Sequence, residues 1–428
     1  MALRIAQNAS WIGIGFGLAL LCGLVILNFT SGEKEIGRRV ERMYSLADPQ
    51  FAHELGVLLG PPFIQGNATK MLLNGDEIFP PMLQAIRDAK ASITFETYIY
   101  WSGDIGREFA EALAAAARRG VKCHVLLDWV GSVKMDQVLV DQLTAAGVQV
   151  KRFHPPHWSH LARLNNRTHR KLLVVDGRVG FTGGVGIAPE WTGRAQDPGH
   201  WRDTHVQITG PVVAQIQSVF LDNWVKVTGQ VLHGKAYFPP LTAQGKTAAQ
   251  MFSSSPSGGS ESMQLMYLFS ITAAAKSIDL SAAYFVPDDL MRTALVDAMR
   301  RGVKVRVIVP GAHIDSETVR SASRATWGPL LLAGATIAEY EPTMYHCKVM
   351  IVDGLLTSVG STNFDNRSFR LNDEATLNIL DAAFARQQTD IFNADLAKSR
   401  IIDFVAWANR PWTEKFAEHW SRLIASQL

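Results

Sequence analysis

His169-Arg170-Lys171-Leu172-Leu173-Val174-Val175-Asp176-Gly177 is the stretch on which the fold turns. A histidine and a lysine two apart are followed by four apolar residues and then by Asp-Gly. An apolar run of that length closed by Asp-Gly reads as a buried strand ending in a turn, with the His and Lys at its entrance pointing into a cleft. The chain carries the pattern again in His346-Cys347-Lys348-Val349-Met350-Ile351-Val352-Asp353-Gly354. One H-x-K-x4-D is a weak match, whereas two in like surroundings imply two half-sites converging on one phosphate. Phosphodiester cleavage needs a nucleophile, a proton donor for the leaving alcohol and cations for the phosphate oxygens, and two His with two Lys supply all three.

The repetition reaches beyond the motifs. Ala89-Lys90-Ala91-Ser92-Ile93, a helical stretch, and Arg119-Gly120-Val121-Lys122 before an apolar strand are echoed by Ala275-Lys276-Ser277-Ile278, a second helical stretch, and Arg301-Gly302-Val303-Lys304. Strand, helix, strand, helix, strand and motif strand follow in both halves, which is an α/β order. The Arg-Gly pairs are helix-ending chemistry with a structural role. Between the halves, Ser253-Ser254-Ser255-Pro256-Ser257-Gly258-Gly259-Ser260 continues neither element and places a boundary near Gln250.

This double motif resembles the phospholipase D superfamily over about Phe79 to Asn378. Gly360-Ser361-Thr362-Asn363-Phe364-Asp365-Asn366-Arg367-Ser368 follows the family's G-S-x-N-x-D-x-R-S stretch. Tyr98-Ile99-Tyr100-Trp101 and His200-Trp201-Arg202-Asp203-Thr204-His205 are similar to the bacterial cardiolipin synthases. The resemblance implies an α/β fold of two phospholipase D-like halves, each a mixed β-sheet flanked by helices, related by pseudo-twofold symmetry. The expected layout is a transmembrane anchor at 1–31, a linker at 32–61, domains at 62–249 and 250–400, and an amphipathic helix at 401–428.

The resemblance also implies roles. His169 is then the nucleophile and His346 the general acid, with Lys171, Lys348 and Asn363, and also Ser361, on the phosphate oxygens. Asp203 and Glu374 follow the first and second motifs where the superfamily carries a carboxylate that orients a histidine. Asp176 and Asp353 complete the catalytic motifs, although their place at the strand ends suits holding a turn. One departure stands out: Asn363 lies ten residues after Asp353, and ten after Asp176 is Gly186, which offers only a backbone N–H. The chemistry implied is metal-free and without cofactor.

Residues Trp11 to Phe29 carry no charge and are about long enough to cross a bilayer as a helix. Lys34, Arg38, Arg39 and Arg42 follow them, so the positive-inside rule places the catalytic body in the cytoplasm of a single-pass bacterial inner-membrane protein. The net charge of +3 argues against a general polyanion binder and so against nucleic acid, while Lys151, Arg152, Arg163, Arg167, Arg170 and Lys171 crowd the first motif as a candidate funnel for anionic head groups. The three scattered cysteines indicate no disulfide framework. His154, His157 and His160 superficially resemble a metal cluster, but prolines break their spacing, and the loop with Trp158 fits lipid contact better. In the tail, Trp412, Phe416 and Trp420 at helical spacing suit a membrane interface or, by preference, packing on the body.

Two functions fit these residues. One is a phosphatidyltransferase that uses a phosphohistidine and passes the lipid to the hydroxyl of phosphatidylglycerol or another alcohol. The other is a phospholipase D-type hydrolase acting on lipid or, less favoured, nucleic acid. Intact motifs speak against a decayed scaffold.

Overall fold

A computed structural model describes residues 11–23 apart from 12 and 21, and residues 36–423 apart from 37, 43, 156–165 and 257–260. The first half contributes β1 (Ile64–Leu73), β2 (Ser92–Thr97), β3 (Lys122–Asp128), β4 (Gln149–Phe153), β5 (Arg167–Thr168), β6 (Leu172–Val175), β7 (Val179–Gly183) and β8 (Thr204–Thr209). The second contributes β9 (Thr247–Ser254), β10 (Ser277–Ala282), β11 (Phe285–Val286), β12 (Lys304–Pro310), β13 (Thr336–Tyr340), β14 (Lys348–Val352), β15 (Leu356–Gly360), β16 (Phe364–Asp365), β17 (Asn372–Leu380) and β18 (Ser399–Ile401).

All but β11 and β16 belong to one sixteen-stranded mixed sheet, ordered β18-β13-β12-β10-β14-β15-β17-β9-β1-β8-β7-β6-β2-β3-β4 with β5 beside β17. Apart from the edge strand β18, the order is mirrored about the β9–β1 junction. The parallel trio β2, β3, β4 answers to β10, β12, β13, and the central strands of each half are antiparallel. The separate sheets expected for the halves are therefore joined, because β1 and β9 pair antiparallel and cover what would be two open edges.

The motif strands are apolar throughout because both of their faces are covered. In β6, Leu173 and Val175 enter the core of the first half, while Leu172 and Val174 enter a core shared by both halves. In β14, Met350 and Val352 enter the second-half core, while Val349 and Ile351 join the shared one. The helices Val213–Thr228 and Ala382–Leu396 cover this common layer with Ile216, Phe220, Trp224, Phe384 and Phe392. Burying each such side chain contributes roughly 1.5–3 kcal/mol.

Each motif ends in the same turn. Asp176 and Gly177 have φ of 54° and 62°, and Asp353 and Gly354 have 55° and 63°, the left-handed region that Gly favours and Asp tolerates. Asp176 accepts from the backbone N–H of Lys90, Ala91 and Ser92, and Asp353 from those of Ala275, Lys276 and Ser277. The repeated Ala-Lys segments seen in the sequence are thus the loops that these carboxylates hold.

Two sequence expectations need correction. Among the described residues no helix is long and apolar enough to cross a membrane. The rest of the expected span, from 24 to Phe29, and Lys34 behind it, lie outside the described residues. The single-pass anchor, and the inner-membrane placement with a cytoplasmic body that rested on it, lose their basis.

The segment expected as a linker at 32–61 also does more than connect. Its helix Pro49–Leu59, capped by Asp48, sends Phe51 and Leu55 into the second-half core, and the Leu46 N–H donates to Ala273 O at 3.1 Å. The chain therefore packs on the second half before it builds the first. Position 250 falls inside β9, so the topological break lies between Thr228 and Thr247.

Candidate active site

The two motif histidines are brought together by backbone bonds that cross between the halves. The His169 N–H donates to Asp373 O at 2.9 Å, and the His346 N–H donates to Arg202 O at 2.8 Å. Asp373 and Arg202 immediately precede Glu374 and Asp203. Each histidine is therefore registered beside the carboxylate of the opposite half: His169 Nδ1 lies 2.9 Å from Glu374 Oε1, and His346 Nδ1 lies 2.7 Å from Asp203 Oδ2. Both carboxylates are fully buried, while the imidazoles keep 11 % and 9 % of their surface, enough to face one shared cleft.

Arg202 locks the crossing further. Its guanidinium pairs with buried Asp395 at 2.9 Å, and so ties the segment before β8 to the helix Ala382–Leu396 of the other half.

Burial takes the His169 ring down to about 4 and His346 down to about 3, with neighbouring lysines acting in the same sense and the carboxylates opposing. For Glu374 and Asp203 burial raises the carboxyl, but the adjoining histidine, the nearby lysine and the hydrogen bonds each accepts outweigh it, and both end below their ordinary values. An ionised carboxylate facing a neutral ring fixes the proton on Nδ1 and leaves the Nε2 lone pair free. Burial also lowers Lys171 well below its ordinary value and Lys348 to about 8.

Lys171 Nζ donates to His169 O at 2.7 Å. Lys348 Nζ donates to His346 O at 2.8 Å and also lies 3.0 Å from His346 Nδ1 and 2.9 Å from its Nε2, a cation beside both ring nitrogens that favours a neutral ring.

Beyond this plan the half-sites diverge. Ser361 Oγ donates to Glu374 and accepts from the Ala375 N–H, so it braces the carboxylate and is not turned to the phosphate as expected. Asn363 lines the cleft, and its Oδ1 has no hydrogen-bond partner among the described residues. On the other side Gly184 and Gly186 stand in the matching places. A Cβ on Gly184 would lie 2.3 Å from Asp203 Oδ1, and one on Gly186 would lie 2.9 Å from Ile99 Cβ and 3.1 Å from the Trp191 ring. Trp191 occupies the space: its Nε1 donates to Asp203 Oδ2 at 3.0 Å and its ring meets His346 edge-on at 5.1 Å. The missing asparagine is thus the consequence of an indole that braces Asp203 as Ser361 braces Glu374.

A family model described as cardiolipin synthase, phospholipase D-like domain, matches residues 82–224 and 267–396, which include both motifs and both carboxylates. The chain belongs to this family. The cardiolipin synthase of Alkalihalophilus pseudofirmus is 34% identical over 400 residues, 92% of this chain and 77% of that protein. The cardiolipin synthase of Geobacillus kaustophilus is 36% identical over 370 residues, 86% and 74% of the two chains. Among solved structures, phosphatidylserine synthase from Haemophilus influenzae Rd KW20 superposes with a TM-score of 0.67 at 14% identity, over 88% of this chain and 99% of that one. That likeness is one of fold.

Against this family background the remaining expectations sort cleanly. Asp176 and Asp353 belong to the motif by sequence but sit at the far ends of their strands, away from the cleft. Of the basic run, Arg167 and Lys171 line the cleft, whereas Arg170 is fully buried against Val219 O, Asp222 and Ser254 O. Arg163, His157, Trp158 and His160 lie outside the described residues, and His154 stacks on Phe153 with ring centroids 4.0 Å apart. The tail helix Trp412–Leu423 packs on the helix Glu317–Ala325 through Arg324 and Glu414, leaving Trp412 and Phe416 exposed. Trp191, Tyr284, Asp315 and Asn372 line the cleft without having been singled out by the sequence. Only Trp191 had a local signal, its place shortly after the anomalous Gly186.

Proposed function

We propose that this protein is a phosphatidyltransferase of the cardiolipin synthase type, which moves a phosphatidyl group from one phosphatidylglycerol to the hydroxyl of another. The observation that carries the reading is the pair of imidazoles on one cleft, each held by a carboxylate from the other half with its Nε2 left for chemistry. His169 Nε2 attacks phosphorus, the bond from phosphorus to the glycerol oxygen breaks, and His346 gives its Nε2 proton to that oxygen. A second phosphatidylglycerol then gives its hydroxyl proton to His346. Its oxygen bonds to phosphorus as the bond to His169 breaks, so that cardiolipin and glycerol are the products.

Lys171, Lys348 and Asn363 hold the nonbridging oxygens through both displacements, where charge grows in the transition state. Burial and Lys348 keep the His346 ring neutral. The anionic phosphodiester draws Lys348 away from the ring and raises its affinity for a proton, so that Nε2 takes one up from solvent as the donor lipid binds.

Purified protein given labelled phosphatidylglycerol should form cardiolipin and free glycerol in equal amounts. Phosphatidic acid as the dominant product would replace transfer by hydrolysis.

A further inference from the structure

The second-half wall of the cleft carries a carboxylate that neither histidine uses. Asp315 lines the cleft mouth just before the helix Glu317–Ala325, and Tyr284 Oη donates to its Oδ2 at 2.7 Å. Burial holds the phenol well above its ordinary value, so Tyr284 stays the donor and Asp315 the acceptor. The pair is fixed to the catalytic groups by the backbone on both sides of Tyr284. The Ala283 N–H donates to Cys347 O, between His346 and Lys348, at 2.9 Å, and Tyr284 O accepts from the N–H of Phe364, next to Asn363, at 3.0 Å. In the first half the equivalent backbone bond, Ile187 N–H to Ile99 O, is made by an isoleucine. Tyr98 also lines the first-half side, so what sets the second half apart is the phenol–carboxylate pair.

A carboxylate beside a phosphate site repels the phosphate, so its presence calls for a different partner. Arg167, Arg367, Lys171 and His346 line the same cleft and Lys348 adjoins it, an environment hostile to an ammonium head group. A neutral polyhydric alcohol meets neither objection: its hydroxyls donate to Asp315 and to the Tyr284 phenol oxygen, whose own proton is held by Asp315, while one of them faces His346. We infer that Asp315 and Tyr284 form the subsite that recognises the vicinal hydroxyls of a glycerol head group, both as it leaves the donor and as the acceptor enters. This deepens the phosphatidyltransferase reading and rests on it.

The test uses the full-length protein with a phosphatidyl p-nitrophenyl ester, whose leaving group has no hydroxyls to be read, and equal concentrations of glycerol and ethanol as competing acceptors. The ratio of phosphatidylglycerol to phosphatidylethanol is internal to each active molecule, so a lower folded fraction cancels. The wild type should favour glycerol. Asp315→Ala should cut the ratio by about tenfold or more, the worth of a hydrogen bond to a charged group, and Tyr284→Phe by less. A wild-type transferase whose ratio is unchanged by Asp315→Ala, or one that prefers ethanol to glycerol, would overturn the subsite alone. A wild type that passes the group only to water would overturn the phosphatidyltransferase reading and the subsite together.

Discussion

Past β15 the second half sets Ser361 against Glu374 and offers Asn363 to the cleft, whereas past β7 the first half has Gly184 and Gly186 with an indole laid over them. The backbone around the two is the same: matching strand order, matching turns, and matching crossed bonds from each histidine to the residue before the opposite carboxylate. Repetition of the fold thus sets where the histidines, lysines and carboxylates stand, and the small side chains after each motif decide what each half-site does. A nucleophile and an acid must differ in protonation, and a symmetric cleft would not separate them.

The largest effects should come from the histidines. His169→Ala and His346→Ala should each lower turnover on the order of 10^4-fold or more. With the p-nitrophenyl donor and an acid-sparing quench, label should reside on His169 even in His346→Ala, because that leaving group needs no proton. Label on His346 in the wild type would reverse the comparison.

Next come the crossed carboxylates. Glu374→Gln and Asp203→Asn should each cost about 10^2- to 10^4-fold through loss of the correct tautomer. They should differ in rescue: the activated donor restores adduct formation in Asp203→Asn, whose partner is the acid, and not in Glu374→Gln. Rescue of the second variant instead would mean that the carboxylates serve the opposite steps.

The phosphate equipment should prove one-sided. Asn363→Ala should slow turnover about 10^2-fold through loss of one oxyanion donor. Gly186→Asn should gain no rate and should lose about 1–3 kcal/mol of stability by denaturant titration, since its Cβ is driven against Ile99 and Trp191. A faster Gly186→Asn enzyme would show that the first half tolerates the symmetric design.

Titration should separate the rings more gently. In the empty protein both imidazoles, at about 4 and about 3, stay neutral at pH 7, and tungstate as a phosphate mimic should raise His346 more than His169 in a nitrogen NMR titration. Equal shifts would deny His346 its distinct role. Because both folded values lie below 6.5, the unfolded chain binds protons that the folded one refuses, so this contribution to stability is present above pH 6.5 and is lost as pH falls towards about 4 for His169 and about 3 for His346. The smallest effect on rate belongs to the motif aspartates. Asp176→Ala and Asp353→Ala should each lower stability on the order of 2–3 kcal/mol by freeing the N–H groups they hold, with little change in turnover of the folded protein.

Much of this was legible in the sequence. Apolar runs closed by Asp-Gly, the repeated Ala-Lys and Arg-Gly segments and the H-x-K spacing are local patterns, and local patterns report strand, turn and repeat directly. Glu374 and Asp203 were legible as orienting groups but not as partners of the opposite histidines. Asp315 went unread, because nothing near it in sequence hints at the cleft, and Trp191 was signalled only by its place after the anomalous Gly186. The apolar N-terminus was read as a span on hydropathy alone, and among the described residues no helix is long and apolar enough to cross a membrane.

The sequence by itself determined the strands, the turns, the two-fold repetition and the identity of the His and Lys pairs, all set by residues within a few positions of one another. Only the tertiary structure decided which carboxylate serves which histidine, across 205 and 143 residues of chain, and that the two expected sheets become one. Those pairings follow from the β9–β1 junction and the shared core beneath the motif strands, where each half supplies the surface that the other must bury.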